Sequence, residues 1–410
     1  MKQFIVISIV LFLFVFLLKT SIYSKMRVTF WEVQSIDTMK YSRDLSREKL
    51  HDALFDAVIE QQVRSIAQTG ATHVAIATPY DDEFLPILQR WVNSARRHNL
   101  NVWFRGNWSG WEKWFGYKMV TRAEHIEKTR RFILSHSGLF EDGDVFSACP
   151  ECENGGPGDP RKTGDATAYR KFLIDEYKVT GDAFRAIKKD VVSNYLSMNG
   201  DVARLIMDKE TTKKLGGIVT IDHYVATPEK LASDIQEIAK NSGGHVVLGE
   251  WGAPIGDIHG ALSEEKQAAW IGTAFEQLVT IPELKGINYW VNVGSSTELW
   301  SAKGTARKAV DVLTQYYSPK NVKVTVLNSL GSPINNASIT HGRRVWQTNS
   351  IGNASLPVAA YHTEFTIVKQ GYKNKTIQVT QRGSASILLE KQNPGFFYRL
   401  LEKMRLLVRF

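Results

Sequence analysis

Eight times between residues 27 and 318, a short β-rich apolar run is followed by an amphipathic segment of helical period, and this alternation constrains the fold more than any other feature. The runs lie at 27–32, 73–78, 101–105, 144–149, 191–196, 217–222, 245–250 and 286–291. Helix signals stand between them. Leu50, Leu54, Val58 and Ile66 space a stripe that stops at Gly70, and Thr121 with Glu124 forms a capping box. Thr227-Pro228-Glu229 supplies an N-cap, an N1 proline and a first-turn acid, and a last helix is predicted at 305–317. Eight strand–helix units over about 290 residues have the count and size of an α/β TIM (β/α)8 barrel. A doubly wound open sheet is the rival, but no G-x-G-x-x-G follows the first run.

After Ser318-Pro319 the period changes. Residues 319–391 read as short alternating strands between turn residues, a small all-β sandwich module of the immunoglobulin-like kind. Gly331-Ser332-Pro333, the Gly352 turn and Lys369-Gln370-Gly371-Tyr372 resemble carboxypeptidase-regulatory-like or transthyretin-like modules, which are often appended to exported enzymes.

Both ends of the chain are basic, and the net charge is +9. Residues 1–25 carry Lys2 and an apolar run from Phe4 to Leu18 broken by Ser8, which predicts a signal peptide or an uncleaved membrane anchor. The tail, 392–410, sets Phe397, Leu400, Leu401, Met404, Leu407 and Val408 on one helical face, with Arg399, Lys403, Arg405 and Arg409 mostly elsewhere. Such a helix either lies on a membrane or docks its apolar face on the enzyme's own surface. Lys and Arg are otherwise evenly spread, which argues against nucleic acid and for anionic lipid or cell-wall polymer. An extracellular or cell-surface protein, secreted or anchored, is expected.

The chemistry should sit where strands end. His245 to Pro254 (HVVLGEWGAP) delivers Glu250 from an apolar run into a Gly/Trp/Pro loop. Asp144 to Gly155 (DVFSACPECENG) repeats that grammar with Glu151 and Glu153. Counting back in twos from each acid predicts that Leu248 and Val246, and Cys149, Ser147 and Val145, share the lumen with it. Two strand-end carboxylates about a hundred residues apart suggest the acid/base and nucleophile of a glycosidase, with Glu151 as acid and Glu153 as alternate. Sugars present apolar C–H faces, so the aromatic stretch after the third run (Arg105, Asn107, Trp108, Trp111, Trp114, Tyr117) is the expected substrate surface.

These segments resemble clan A of the glycoside hydrolases, the retaining (β/α)8 enzymes that include many cellulases and β-glycosidases. Glu250 in LGEWG is similar to the clan's strand-7 nucleophile segment. His223 and Tyr224 in Ile221-Asp222-His223-Tyr224 resemble its strand-6 segment, and Trp290 in INYWVN its strand-8 sugar platform. Asn154, Trp251 and Asn292 complete the substrate set. The clan usually places Asn before its acid/base, whereas Pro150 precedes Glu151 here, so recognition of the sugar 2-hydroxyl departs from the pattern. The resemblance implies retaining hydrolysis of a β-linked oligo- or polysaccharide, without cofactor or metal. A catalytically silent glycan-binding scaffold and a transglycosylase remodelling cell-surface polysaccharide are the rival readings. Cys149 and Cys152 form a lone C-x-x-C at a strand end, which suits buried thiols or a local disulfide better than zinc.

Overall fold

The computed structural model describes residues 28–359, 363–381 and 383–407, with side chains to residue 404. Eight parallel strands form one curled sheet: β1 Val33–Asp37, β2 His73–Ile76, β3 Asn101–Phe104, β4 Val145–Phe146, β5 Ser197–Asn199, β6 Ile218–Asp222, β7 His245–Trp251 and β8 Leu284–Tyr289. Their order is β4-β3-β2-β1-β8-β7-β6-β5. The edges meet where Val145 bridges Val192, with Phe146 N–H donating to Val192 C=O (2.8 Å) and Val192 N–H to Asp144 C=O (2.9 Å). This is a TIM barrel.

The helices that follow the strands in turn are α1 Phe55–Gln68, α2 Leu85–Arg97, α3 Arg122–Ser135 and α4 Ala166–Ala186, then α5 Gly200–Ile206 and α6 Lys209–Lys214 after β5. Completing the ring are α7 Pro228–Ser242, α8 Glu264–Leu278 and α9 Lys308–Tyr317. The predicted caps form: Thr121 and Glu124 make a reciprocal box at α3, and the Thr227 hydroxyl accepts from Lys230 N–H at α7. The stripe on α1 differs from expectation. Leu54 is 85% exposed and Leu50 and Val58 are only partly buried; Ile66 buries as expected, joined by Phe55, Ile59 and Val63.

The first strand also moves, from 27–32 to Val33–Asp37. Polarity hid it, because Gln34, Ser35 and Asp37 are all buried, two of them paired in the barrel. Trp31, which made the earlier run look strand-like, packs against Phe275 of α8 at 5.9 Å between ring centroids. The lumen is plugged at its lower end by Val33, Ala75, Trp103, Val145, Tyr195 and Val247, while a larger apolar layer fills the space between strands and helices.

Beyond α9, seven strands among the described residues build two small sheets, β11-β10-β13-β14 and β12-β9-β15. They are β9 Lys320–Asn328, β10 Ser338–His341, β11 Arg344–Gln347, β12 Asn353–Val358, β13 Thr363–Val368, β14 Lys375–Val379 and β15 Ala385–Leu389. Their own core includes Val324, Val326, Ile339, Leu356, Phe365 and Ile367. The β9–β15 pair is parallel, a departure from a purely antiparallel sandwich. Arg343 pairs with Glu283 and Arg344 donates to Ile281 C=O, so the module contacts the loop entering β8 and stays clear of the strand C-termini.

A last helix, α10 Phe396–Leu407, leaves Phe396, Phe397, Leu400, Leu401 and Met404 exposed. Tyr398 of α10 meets Ser329 Oγ at 3.0 Å. Among the described residues no helix is long and apolar enough to cross a membrane, and the segment read as signal or anchor lies outside them.

Candidate active site

At the C-terminal mouth of the barrel one cation gathers four acids. Arg105, just past β3, is 4% exposed. Its Nη1 donates to Asp37 Oδ2 at 2.9 Å and to Gly249 C=O, and its Nη2 lies 3.2 Å from Asp222 Oδ2 and 3.1 Å from Glu250 Oε1. Glu151, Asp222 and Glu250 each bring a carboxylate oxygen within 4.8 Å of the other two. Burial opposes the guanidinium charge, but Asp222, Glu250 and Asp37 more than restore it, so Arg105 stays protonated.

Glu250 reaches this cluster by a different route from simple strand alternation. Val247 points into the lumen, whereas Val246 and Leu248 face the helical layer, the reverse of the expected parity. A bulge between Leu248 and Glu250, against Ile221 and Asp222 of β6, shifts the register and turns the acid inward. Gly249 is required there, because a Cβ would stand 2.3 Å from Asp222 Oδ1. Trp251 consequently faces outward, packed against Phe275 and Tyr289, and does not line the site.

Glu151 also arrives by a turn. β4 is only two residues long, and after Pro150 the chain takes a left-handed conformation at Glu151 (φ 47°), held by Glu151 N–H donating to Ser197 C=O at 2.8 Å. The Cys149–Cys152 disulfide closes the base of this turn. Glu153, of the same apparent parity, is 3% exposed and committed elsewhere. Its Oε1 accepts from Asn199 N–H (2.6 Å) and Nδ2 (2.9 Å), and its Oε2 accepts from Tyr169 (3.3 Å). Asn154 is exposed and reaches only Asn199.

The two facing acids differ electrostatically. Burial, then Glu250 and Glu153, push the Glu151 carboxyl up to about 8, against the pull of Arg105. Glu250 has a cation at one oxygen and the Tyr224 hydroxyl donating to the other at 2.9 Å. Burial raises Asp37 to about 7 and puts Asp222 well above the carboxylate range. Glu112, half-buried in the loop after β3, is raised by burial to about 7 and senses Arg43 and Glu250.

The aromatic expectations divide. Trp290 is half-buried at the mouth, edge-on to Tyr224 at 6.2 Å, and its Nε1 has no hydrogen-bond partner among the described residues. His223 donates its backbone N–H to Glu250 C=O, while its ring is held by Asp234 at 2.8 Å. Asn292 is buried behind Asp37, its N–H on Asp37 C=O.

Trp108 and Trp111 are not sugar platforms. Trp108 donates to Thr129 and packs on Tyr80 and Phe132, while Trp111 donates to Cys152 C=O and stacks on Phe172. Asn107 is fully buried, its Oδ1 shared by Trp108 N–H and His125 and its Nδ2 turned to Glu112. These three anchor the loop to α3 and α4; Trp114, half-buried beneath Arg43 at 5.1 Å, is the member left at the mouth. The sequence reading missed Asp37, Asn288 and Glu112. Asp37 lay outside the run read as the first strand, which ended at residue 32.

The class these features define is a (β/α)8 barrel with facing carboxylates at the C-terminal ends of its strands. The chain matches no protein family, and no curated protein matches it in sequence. Solved structures share the architecture. An FMN-binding β-glucuronidase from Facaelibacterium prausnitzii matches with TM-score 0.52 at 10% identity, over 92% of this chain and 58% of that one. The GH5_18 protein of Bifidobacterium longum, in complex with Manβ1-4GlcNAc, matches with TM-score 0.51 at 12% identity, over 80% and 86%. A Bifidobacterium dentium β-glucuronidase, complexed with coumarin-3-O-glucuronide, gives 0.50 at 14%, over 71% and 47%. The likeness is one of fold, and the chain spans 58% of the first of these proteins.

Proposed function

We propose that the protein is a retaining glycoside hydrolase acting on a β-linked glycan, with Glu250 as nucleophile and Glu151 as general acid and base. One observation carries this: two carboxylates with oxygens within 4.8 Å of each other, one raised to about 8 and the other flanked by a cation and a phenol. Retaining glycosidases place their pair roughly 5–5.5 Å apart, too close to admit water between them and suited to direct attack. Glu250 attacks the anomeric carbon while Glu151 passes its proton to the leaving oxygen; Glu151, now ionised, then takes a proton from the water that releases the sugar. Arg105 and Tyr224 each hold one oxygen of Glu250 and orient it for attack.

Trp290 is the platform for the sugar face. The apolar run from Phe4 to Leu18 and the exposed face of α10 support placement at a membrane-bearing cell surface.

Incubation with a 2-deoxy-2-fluoro glycoside bearing a good leaving group, followed by peptide mass spectrometry, tests the assignment. A covalent sugar on the peptide holding Glu250 is expected. Pro150 in place of the usual Asn favours the rival reading, a non-catalytic glycan-binding barrel. Glycan binding with no adduct and no turnover across a broad aryl-glycoside panel would establish that instead.

A further inference from the structure

At the opposite end of the barrel lies a cavity of about 710 Å³, within the range of ligand sites. It is lined by the C-terminal half of α4, the segment 189–194 that leads into β5, and Lys214 at the end of α6. Its body is apolar: Ile174, Tyr177, Phe184, Val191 and Val192. Its rim is cationic, with Lys178, Arg185, Lys189 and Lys214 against the one acid Asp190. Arg185 and Lys214 have partners on their own helices, Asp182 and Glu210, while Lys178 and Lys189 make no ion pair among the described residues. Within the lining, Ser193 is 6% exposed. Asn194 donates Nδ2 to Leu215 C=O at 3.1 Å.

An apolar chamber of this size under a cationic rim, with a serine in its lining, fits an anion joined to an apolar body. Lys ammonium groups are compact point charges that bind phosphate without the planar geometry carboxylates favour in Arg. We propose that this cavity binds a phosphate ester carried on an apolar body, as in the headgroup region of an anionic phospholipid. The phosphate sits between Lys178 and Lys189 and takes the Ser193 hydroxyl, and the first carbons of the body rest on Tyr177 and Phe184. The site belongs to the face where strands begin, away from Glu151 and Glu250. It is therefore independent of the glycosidase reading, and its occupancy leaves hydrolysis unchanged.

Isothermal titration of the full chain at low ionic strength, with three probes, decides this. Dihexanoyl phosphatidylglycerol is expected to bind, dihexanoyl phosphatidylcholine to bind at least tenfold more weakly, and glycerol phosphate reports on a soluble source of the same group. Each cation near an anionic surface contributes a factor of about five, so Lys178→Ala with Lys189→Ala and Lys214→Ala should weaken binding about a hundredfold. Ser193→Ala should weaken it about fivefold, with the thermal midpoint unchanged. Binding of glycerol phosphate as tight as that of the lipid, lost in the triple variant, keeps the phosphate site and assigns a soluble ligand. No binding of either phosphate, or binding that survives the triple variant, overturns the proposal.

Discussion

Replacing Glu151 by Gln should stabilise the protein at neutral pH and leave it unchanged at pH 4.5. A carboxyl whose folded-state pKa lies above its unfolded value costs stability over the interval between them. The unfolded chain ionises from about 4.5, while the folded one holds its proton until about 8. The cost is absent below 4.5, grows as pH rises, and levels off above 8. At pH 7 the interval traversed is 2.5 pH units, which at 1.36 kcal/mol per unit is about 3 kcal/mol. Glutamine is isosteric and neutral, so it removes that cost. A chain of this size gains roughly 2 °C per kcal/mol, an upward shift of about 6 °C. The assay is paired thermal melts of wild type and Glu151→Gln every half pH unit from 4.5 to 8.5. The gap should open with pH, while hydrolysis of substrates with poor leaving groups is lost. A gap that is flat with pH, or that closes as pH rises, would refute the claim that Glu151 is held neutral against Glu250.

Three further outcomes follow from the same geometry. Arg105→Met strands Asp37, Asp222 and Glu250 without their shared cation, and should cost about 3–5 kcal/mol in urea unfolding at pH 7. That loss should shrink at pH 4.5, where Asp37, raised to about 7, is fully protonated; an equal loss at both pH values would remove Arg105 from its electrostatic role. Tyr224→Phe deletes a hydrogen bond to a charged oxygen worth roughly 1.5–3 kcal/mol, so kcat should fall about 10- to 100-fold with the fold intact. Trp111→Ala should destabilise by about 3–5 kcal/mol and leave KM of the surviving folded enzyme unchanged, whereas Trp290→Ala should raise KM; the opposite pattern would return Trp111 to the substrate surface.

The alternation of apolar runs and amphipathic stripes was sufficient to specify the barrel, because strand and helix periods are local properties of a chain. Strands such as β6 and β7, buried on both sides, are apolar and legible within a residue or two. β1 was not, because its buried polar residues pair with partners that arrive late in the chain: Gln34 with Tyr317, and Asp37 with Asn288. Residue chemistry also marked Glu250 and Glu151 as a pair, but read Arg105 as a substrate contact, whereas its guanidinium is held by Asp37, Asp222 and Glu250.

What the sequence could not decide was direction. Counting residues in twos inverted the Glu250 strand, which enters the site through a bulge; it did place Val145 in the lumen, but Glu151 itself turns in through a left-handed residue braced by Ser197. The choice between Glu151 and Glu153 depends on Asn199 and Tyr169, 46 and 16 residues further on, occupying one carboxylate and leaving the other to face Glu250. The tryptophans follow the same rule. An indole is equally good as core or as platform, and only closure of α3 and α4 over the loop buried Trp108 and Trp111 while leaving Trp290 at the mouth. Composition and period determined which groups the protein owns; the ring closure of the sheet, a long-range event, determined which of them meet.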